Sequence, residues 1–122
     1  MKVAVADDTL QDFTTMSALL AGGNTEATGS GYSRKTLQNG GVNGVSVQPD
    51  NVNNQVKIDF DDLTYTSVAA GSTWVCIVFY YDPDSTDTMA NCIPLWKSDF
   101  PVTTDGTTIV AVVPTGGYAI LQ

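Results

Sequence analysis

Thr73-Trp74-Val75-Cys76-Ile77-Val78-Phe79-Tyr80-Tyr81 is the longest largely apolar run in the chain, bounded by Gly71-Ser72 before it and Asp82-Pro83-Asp84 after it. β-Branched and aromatic residues dominate it, and these suit a pleated backbone. No polar residue alternates through it, so a strand here must be covered on both faces. The run is too short to cross a membrane, which takes about 20 apolar residues. It is expected to be a central strand, with the rest of the chain pairing with it or covering it.

Working outward, Val56, Ile58 and Phe60 alternate with Lys57 and Asp59, the cleanest period-two signal in the sequence. This predicts a strand with its apolar side chains toward a core and its charges toward water. Val45 and Val47 flank Ser46 in a preceding strand, and Pro49-Asp50-Asn51 is expected to turn between the two. Leu63 and Tyr65 continue the sheet or turn its corner. Beyond the central run, Cys92 to Trp96 is a short apolar segment in which Pro94 cannot donate to a ladder, so it belongs at an edge or a bulge. Asp105-Gly106 predicts a hairpin turn, and strands over Thr107 to Val113 and Tyr118 to Leu121 follow, joined through Pro114-Thr115-Gly116-Gly117.

At the other end, Lys2 to Ala6 reads as a first strand stopped by Asp7-Asp8-Thr9. Leu10, Phe13, Met16 and Leu20 then recur at helical spacing, giving one short turn of helix near Thr15 to Leu20 that Gly22-Gly23 ends. Residues 24–44 are rich in Gly, Asn, Ser and Thr, with Tyr32 and Leu37 as apolar anchors. They read as a long loop. The expectation is an all-β fold, a compact β-sandwich or open barrel of about seven short strands with one short helical turn. At 122 residues the chain is expected to form one domain over 1–122.

Charge and composition narrow the function. Thirteen acidic residues against five basic give a net charge of −8, which disfavours a nucleic-acid or anionic-membrane surface. The opening residues hold too short an apolar run and too early an acidic pair for a signal peptide, so synthesis in a cytoplasm is expected. The chain has no histidine and no serine in a Gly-x-Ser-x-Gly turn, so no enzyme is expected and no catalytic residue is assigned. Asp82-Pro83-Asp84-Ser85-Thr86-Asp87 invites calcium, but an EF-hand begun at Asp82 would want Gly at Asp87 and Glu at Ile93. A solvated acidic turn is the better reading, with no metal and no cofactor assigned. None of the paired glycines is followed by Lys-Ser or Lys-Thr, so they do not form a phosphate-binding loop.

Cys76 and Cys92 are expected on neighbouring antiparallel strands. A hairpin centred on Asp84 would set the two cysteines directly opposite, where a bridge is geometrically conceivable, whereas a loop spanning 82–90 centres it on Thr86, puts Cys76 opposite Trp96 and leaves both thiols free; the second is the expected register.

The order of these features resembles a family of small virion structural proteins from tailed bacteriophages, the head decoration or cement proteins and related accessory proteins. The likeness runs from Val3-Ala4-Val5-Ala6 and Asp7-Asp8-Thr9, through Gly29-Ser30-Gly31-Tyr32, Val56-Lys57-Ile58-Asp59 and Asp61-Asp62-Leu63-Thr64-Tyr65, to Val78-Phe79-Tyr80-Tyr81 and the closing strand. The resemblance implies assembly rather than catalysis: a homotrimer that binds the major capsid protein or other virion proteins, without nucleic acid or membrane. A collar, tail or fibre component and a carbohydrate- or host-binding sandwich are the alternatives. The 24–44 loop is expected to make partner contacts, with Tyr32, Arg34, Lys35 and Leu37 as the contact residues and the two basic side chains docking onto an acidic neighbour.

Overall fold

The computed structural model describes residues 2–5, 13–39, 43–114 and 119–121. Among them are nine strands and one helix, and the long 73–81 run is the centre of the largest sheet. That run is strand β6 (Thr73–Tyr81), flanked by β1 (Lys2–Val5) and by β7 (Ile93–Thr103), with the two-residue β2 (Thr25–Glu26) beyond β1. A second sheet orders β3 (Val45–Asp50), β4 (Gln55–Phe60) and β9 (Ala119–Leu121), and β5 (Leu63–Tyr65) pairs with β8 (Ile109–Ala111). All pairings are antiparallel. The mostly β architecture agrees with the sandwich or open-barrel expectation.

Both faces of β6 are covered, as its unbroken apolar pattern requires. Trp74, Ile77 and Phe79 join Phe60, Leu63, Tyr65, Val68, Ile109 and Ala111 in one buried cluster. Cys76 and Val78 point the other way, into a second cluster with Met16, Leu19 and Cys92. Met16 and Leu19 lie on α1 (Met16–Ala21), so one turn and a half of helix closes the second face. Thr15 caps the helix by accepting from the Ala18 amide at 3.2 Å, and Gly22 closes it with its amide on the Ala18 and Leu19 carbonyls.

Several sequence expectations are corrected in detail. Pro49 and Asp50 belong to β3, opposite Val56 and Gln55, and the turn is 51–54. Asp50 makes that turn local: its carboxylate accepts from the Val52 and Asn53 amides and the Asn53 and Gln55 side chains, so the chain reverses only after it. Of the three alternating residues on β4 only Phe60 is fully buried, because the hairpin runs out beyond the core. Asp105-Gly106 does turn the chain, with Gly106 at φ +96, but β8 then pairs with β5 rather than back on β7. The turn is a corner between sheets. Strand β7 is far longer than the segment 92–96, though Pro94 does lie on an edge strand beside a register shift.

Cys76 lies opposite Asp99, not Trp96, and Trp96 instead faces Phe79. Tyr81 pairs with Ile93, so the connecting loop is centred on Asp87 rather than Thr86, and the irregularity between Phe79 and Tyr80 shifts the register again. Neither cysteine is in a disulfide, and both are buried. The expected strand residue Ala6, the Asp7-Asp8-Thr9 turn, Leu10 and the 115–117 part of the closing connection lie outside the described residues.

Candidate functional site

The 32–38 segment has no regular secondary structure, yet every residue proposed as a partner contact in it is engaged within its own chain. Tyr32 stacks on Tyr65 with ring planes 9° apart and meets Trp74 edge-on at 5.7 Å. The Tyr32 hydroxyl donates to Glu26 Oε1 at 3.0 Å. Leu37 packs against the larger core cluster. Lys35 Nζ sits 4.9 Å from the centre of the Tyr65 ring, a cation–π contact.

Arg34 organises the polar side of this segment. Its Nε and Nη2 donate to the two oxygens of Glu26 at 2.8 and 2.9 Å, and its Nη1 donates to Asp87 Oδ2. Hydrogen bonding to Glu26, with Asp87 adding to it, outweighs partial burial and raises the guanidinium pKa above its already high ordinary value. Asp87 is held in turn by the Tyr80 hydroxyl at 2.6 Å, while its amide donates to Asp82 Oδ2 at 2.9 Å. Burial, followed by this bond to Asp87, pushes the Tyr80 phenol far up, so it stays protonated and is no general base.

Between this segment and the end of β6 lies an open cleft of about 520 Å³, within the size range of small-ligand sites. Arg34 to Gln38 form one wall, and Phe79 to Tyr81 with Asp82, Ser85 and Asp87 form the other. Tyr81 is 54% exposed at its edge, offering a ring face for stacking, with Gln38 and Ser85 as hydrogen-bonding groups along the walls.

The 82–87 loop is more ordered than a solvated acidic turn suggests. Asp84 accepts from the Thr86 amide and hydroxyl and from the Asn91 side chain, and the Thr86 hydroxyl foremost pushes the carboxyl down to about 2. Ser85 and Asp87 adopt φ values of +57° and +55°. One donor atom each from Asp82, Asp87 and Cys92 lies within 4.8 Å of the others, a mixed oxygen and sulfur set of the kind that suits zinc. Asp82 Oδ1 is buried with no hydrogen-bond partner among the described residues. Asp87, however, already spends both oxygens on Arg34 and Tyr80. Asp87 therefore ties the loop together by hydrogen bonding, to Arg34 and Tyr80 through its carboxylate and to Asp82 through its amide.

Sequence reasoning found Arg34 but not Glu26 or Asp87, because Asp87 is 53 positions away and no local pattern links them. No helix among the described residues is long and apolar enough to cross a membrane. Comparisons with protein-family models, curated proteins and solved structures found no match to this chain.

Proposed function

We propose that this chain is a non-enzymatic structural protein of a tailed-bacteriophage virion, a decoration or cement protein that binds the major capsid protein and stabilises the head shell. In this reading it is made in the host cytoplasm, forms a homotrimer and resides in the virion. The observation that carries it is the combination of a pinned irregular segment with aliphatic side chains left in solvent at separate edges of the fold. Val47 on β3, Leu95 on β7 and Val112 just after β8 are all exposed, while residues 32–38 are tied down by Arg34 and Tyr32. A protein covering joints in a shell gains from such a body, since contacts made by preorganised groups lose little entropy on docking. The order of sequence motifs supports the same reading. Mass spectrometry of purified virions tests it: copies in fixed ratio to the major capsid protein are expected. A few copies confined to tail fractions would sink the capsid reading in favour of a collar, tail or fibre part.

The cleft beside Tyr81 favours a second reading, a carbohydrate- or host-binding module. Stacking of a sugar ring on Tyr81 would require that Tyr81→Ala abolish any signal on a glycan array. A folded protein that binds no glycan above background removes this reading.

A further inference from the structure

Two asparagines in the chain are followed by glycine, Asn39-Gly40 and Asn43-Gly44, and residue 40 lies outside the described residues. An Asn-Gly pair leaves the asparagine side chain open to attack by the next backbone nitrogen, because glycine has no Cβ to hinder ring closure. Asn43 adopts φ +58 in the turn that leads into β3, and both it and Gly44 are half-buried. The groups that would react are each engaged. Asn43 Nδ2 donates to the Thr36 carbonyl at 3.2 Å, and the Gly44 amide donates to Asp61 Oδ2 at 2.9 Å. Asp61 returns the bond, its own amide donating to the Gly44 carbonyl at 3.2 Å.

We propose that Asn43 is a self-modifying site, protected while its contact with Thr36 and the Gly44–Asp61 contact are closed and converted to aspartate or isoaspartate when they open. In the first step solvent base takes the Gly44 amide proton, and the nitrogen attacks Asn43 Cγ. A C–N bond forms, the Cγ–Nδ2 bond breaks, and Nδ2 takes a proton and leaves as ammonia. Water then opens the succinimide. Cleavage at Cγ leaves aspartate, and cleavage at the main-chain carbonyl leaves isoaspartate. Asp61 opposes the first step twice, by holding the proton that must leave and by placing negative charge beside a nitrogen about to gain one. Both protecting bonds lie at the surface, so a local fluctuation is enough to open them.

Reclosing cannot undo the conversion. A carboxylate at position 43 has no amide hydrogens for the Thr36 carbonyl, and it adds negative charge close to Asp61. Isoaspartate goes further, since it lengthens the main chain by one carbon directly before Gly44 and Val45. Val45 is the first residue of β3, sits opposite the buried Phe60 and donates its amide to the Gln38 carbonyl at 3.0 Å. Conversion therefore loosens the Gln38 end of the 32–38 segment from the β3–β4 hairpin. The inference does not depend on which larger structure the chain joins.

Ageing of the intact chain at mildly alkaline pH, with and without guanidinium chloride, tests it. Mass spectrometry follows the tryptic peptide 36–57, and fragmentation assigns each amide-to-acid change to its residue. Residue 43 should convert in both samples, at least about tenfold more slowly in the folded chain, a factor within the range of local opening. Asp61→Ala should remove most of that difference without altering the rate in denaturant. A second measurement leaves Asp61 in place. Hydrogen exchange of Asn43→Asp, which reproduces the aspartate product, should be faster than wild type at 43–45 and unchanged across β6. Equal rates in the folded and denatured chains, an unchanged residue 43 in the aged folded chain, protection that survives Asp61→Ala, or unaltered exchange at 43–45 would each overturn the proposal.

Discussion

The Arg34 guanidinium and the Glu26 carboxylate meet fork to fork, Nε to Oε1 at 2.8 Å and Nη2 to Oε2 at 2.9 Å, and so fasten the irregular 32–38 segment to strand β2. Both side chains are mostly shielded from water, which makes the pair stronger than an open surface ion pair. Arg34→Ala should cost about 1–3 kcal/mol, since it removes both charge-assisted bonds to a carboxylate that is largely shielded from water. Arg34→Lys should recover less than half of that, because an ammonium cannot make the paired bonds. Urea denaturation midpoints of the two variants measure both. Charge reversal at Arg34 would act first on the chain's own fold, so its effect on assembly must be read against that loss.

Gly31 is the tightest backbone approach among the described glycines. It has φ +82, and a Cβ there would stand 2.5 Å from the Ser67 carbonyl oxygen and 2.6 Å from that of Thr66. Gly31→Ala should therefore destabilise by more than about 2 kcal/mol, because backbone cannot step aside as a side chain can. Gly106→Ala is the control. Its φ is +96 but nothing lies within 4 Å, so only the conformational penalty of about 1 kcal/mol is expected in thermal or urea unfolding.

Tyr65 is fully buried, and its hydroxyl has no hydrogen-bond partner among the described residues. Burial raises its pKa well above the ordinary value of 10.0. The fold thus favours the protonated phenol. The stability linked to it is present below pH 10 and is lost as pH rises through the higher folded value. Tyr65→Phe should leave neutral-pH stability unchanged or improve it by up to about 1 kcal/mol, since an unpaired polar group is removed. It should also move alkaline unfolding, followed by circular dichroism, to higher pH. Tyr80 contributes in the same direction, so the shift will be partial.

Acid acts through the turn carboxylates. Asp84, pushed down to about 2, and Asp50 and Asp105, both lowered by hydrogen bonds from neighbouring side chains, stabilise the fold above the ordinary carboxyl value of 3.8. That contribution is lost as pH falls through the folded values, so stability should decline between about pH 4 and pH 2. Asp84→Asn should flatten part of this decline in a pH series of denaturant midpoints.

Cys76 and Cys92 should titrate as two thiols in the denatured, unreduced chain and as none in the native one, because both are buried in the cluster closed by α1. Quantitative reaction with a chromogenic disulfide reagent decides it. A native chain that reacts at once would mean that the helix does not cover this face.

The sequence made β6 legible because covering both faces of a strand removes alternation, and it made the edge position of Pro94 legible because proline lacks a ladder donor. Register was not legible in the same way. It depends on where the 82–92 loop is centred and on irregularities beside Cys76 and Tyr80, and neither leaves a mark in composition. Tyr32 and Leu37 stood out as anchors by their size alone. What they anchor to did not, because Tyr65 and Trp74 reach Tyr32, and the larger core cluster reaches Leu37, only through tertiary packing. The 32–38 segment is held by long-range contacts, Tyr32 on Tyr65 and Trp74 and Arg34 on Asp87, that no local pattern records.

The pairing of β1 with β6 sets Val3 against Ile77 and Lys2 against Val78, so β1, paired nearby only with the two-residue β2, gains its long partner from a stretch far along the chain. Folding must then close a very large loop before the principal sheet gains its inner pair, a step that slows β-rich chains relative to helical ones. Until that loop closes, the side of β1 that faces β6 stays unpaired, so the arrival of the central strand is expected to be the slow step of folding.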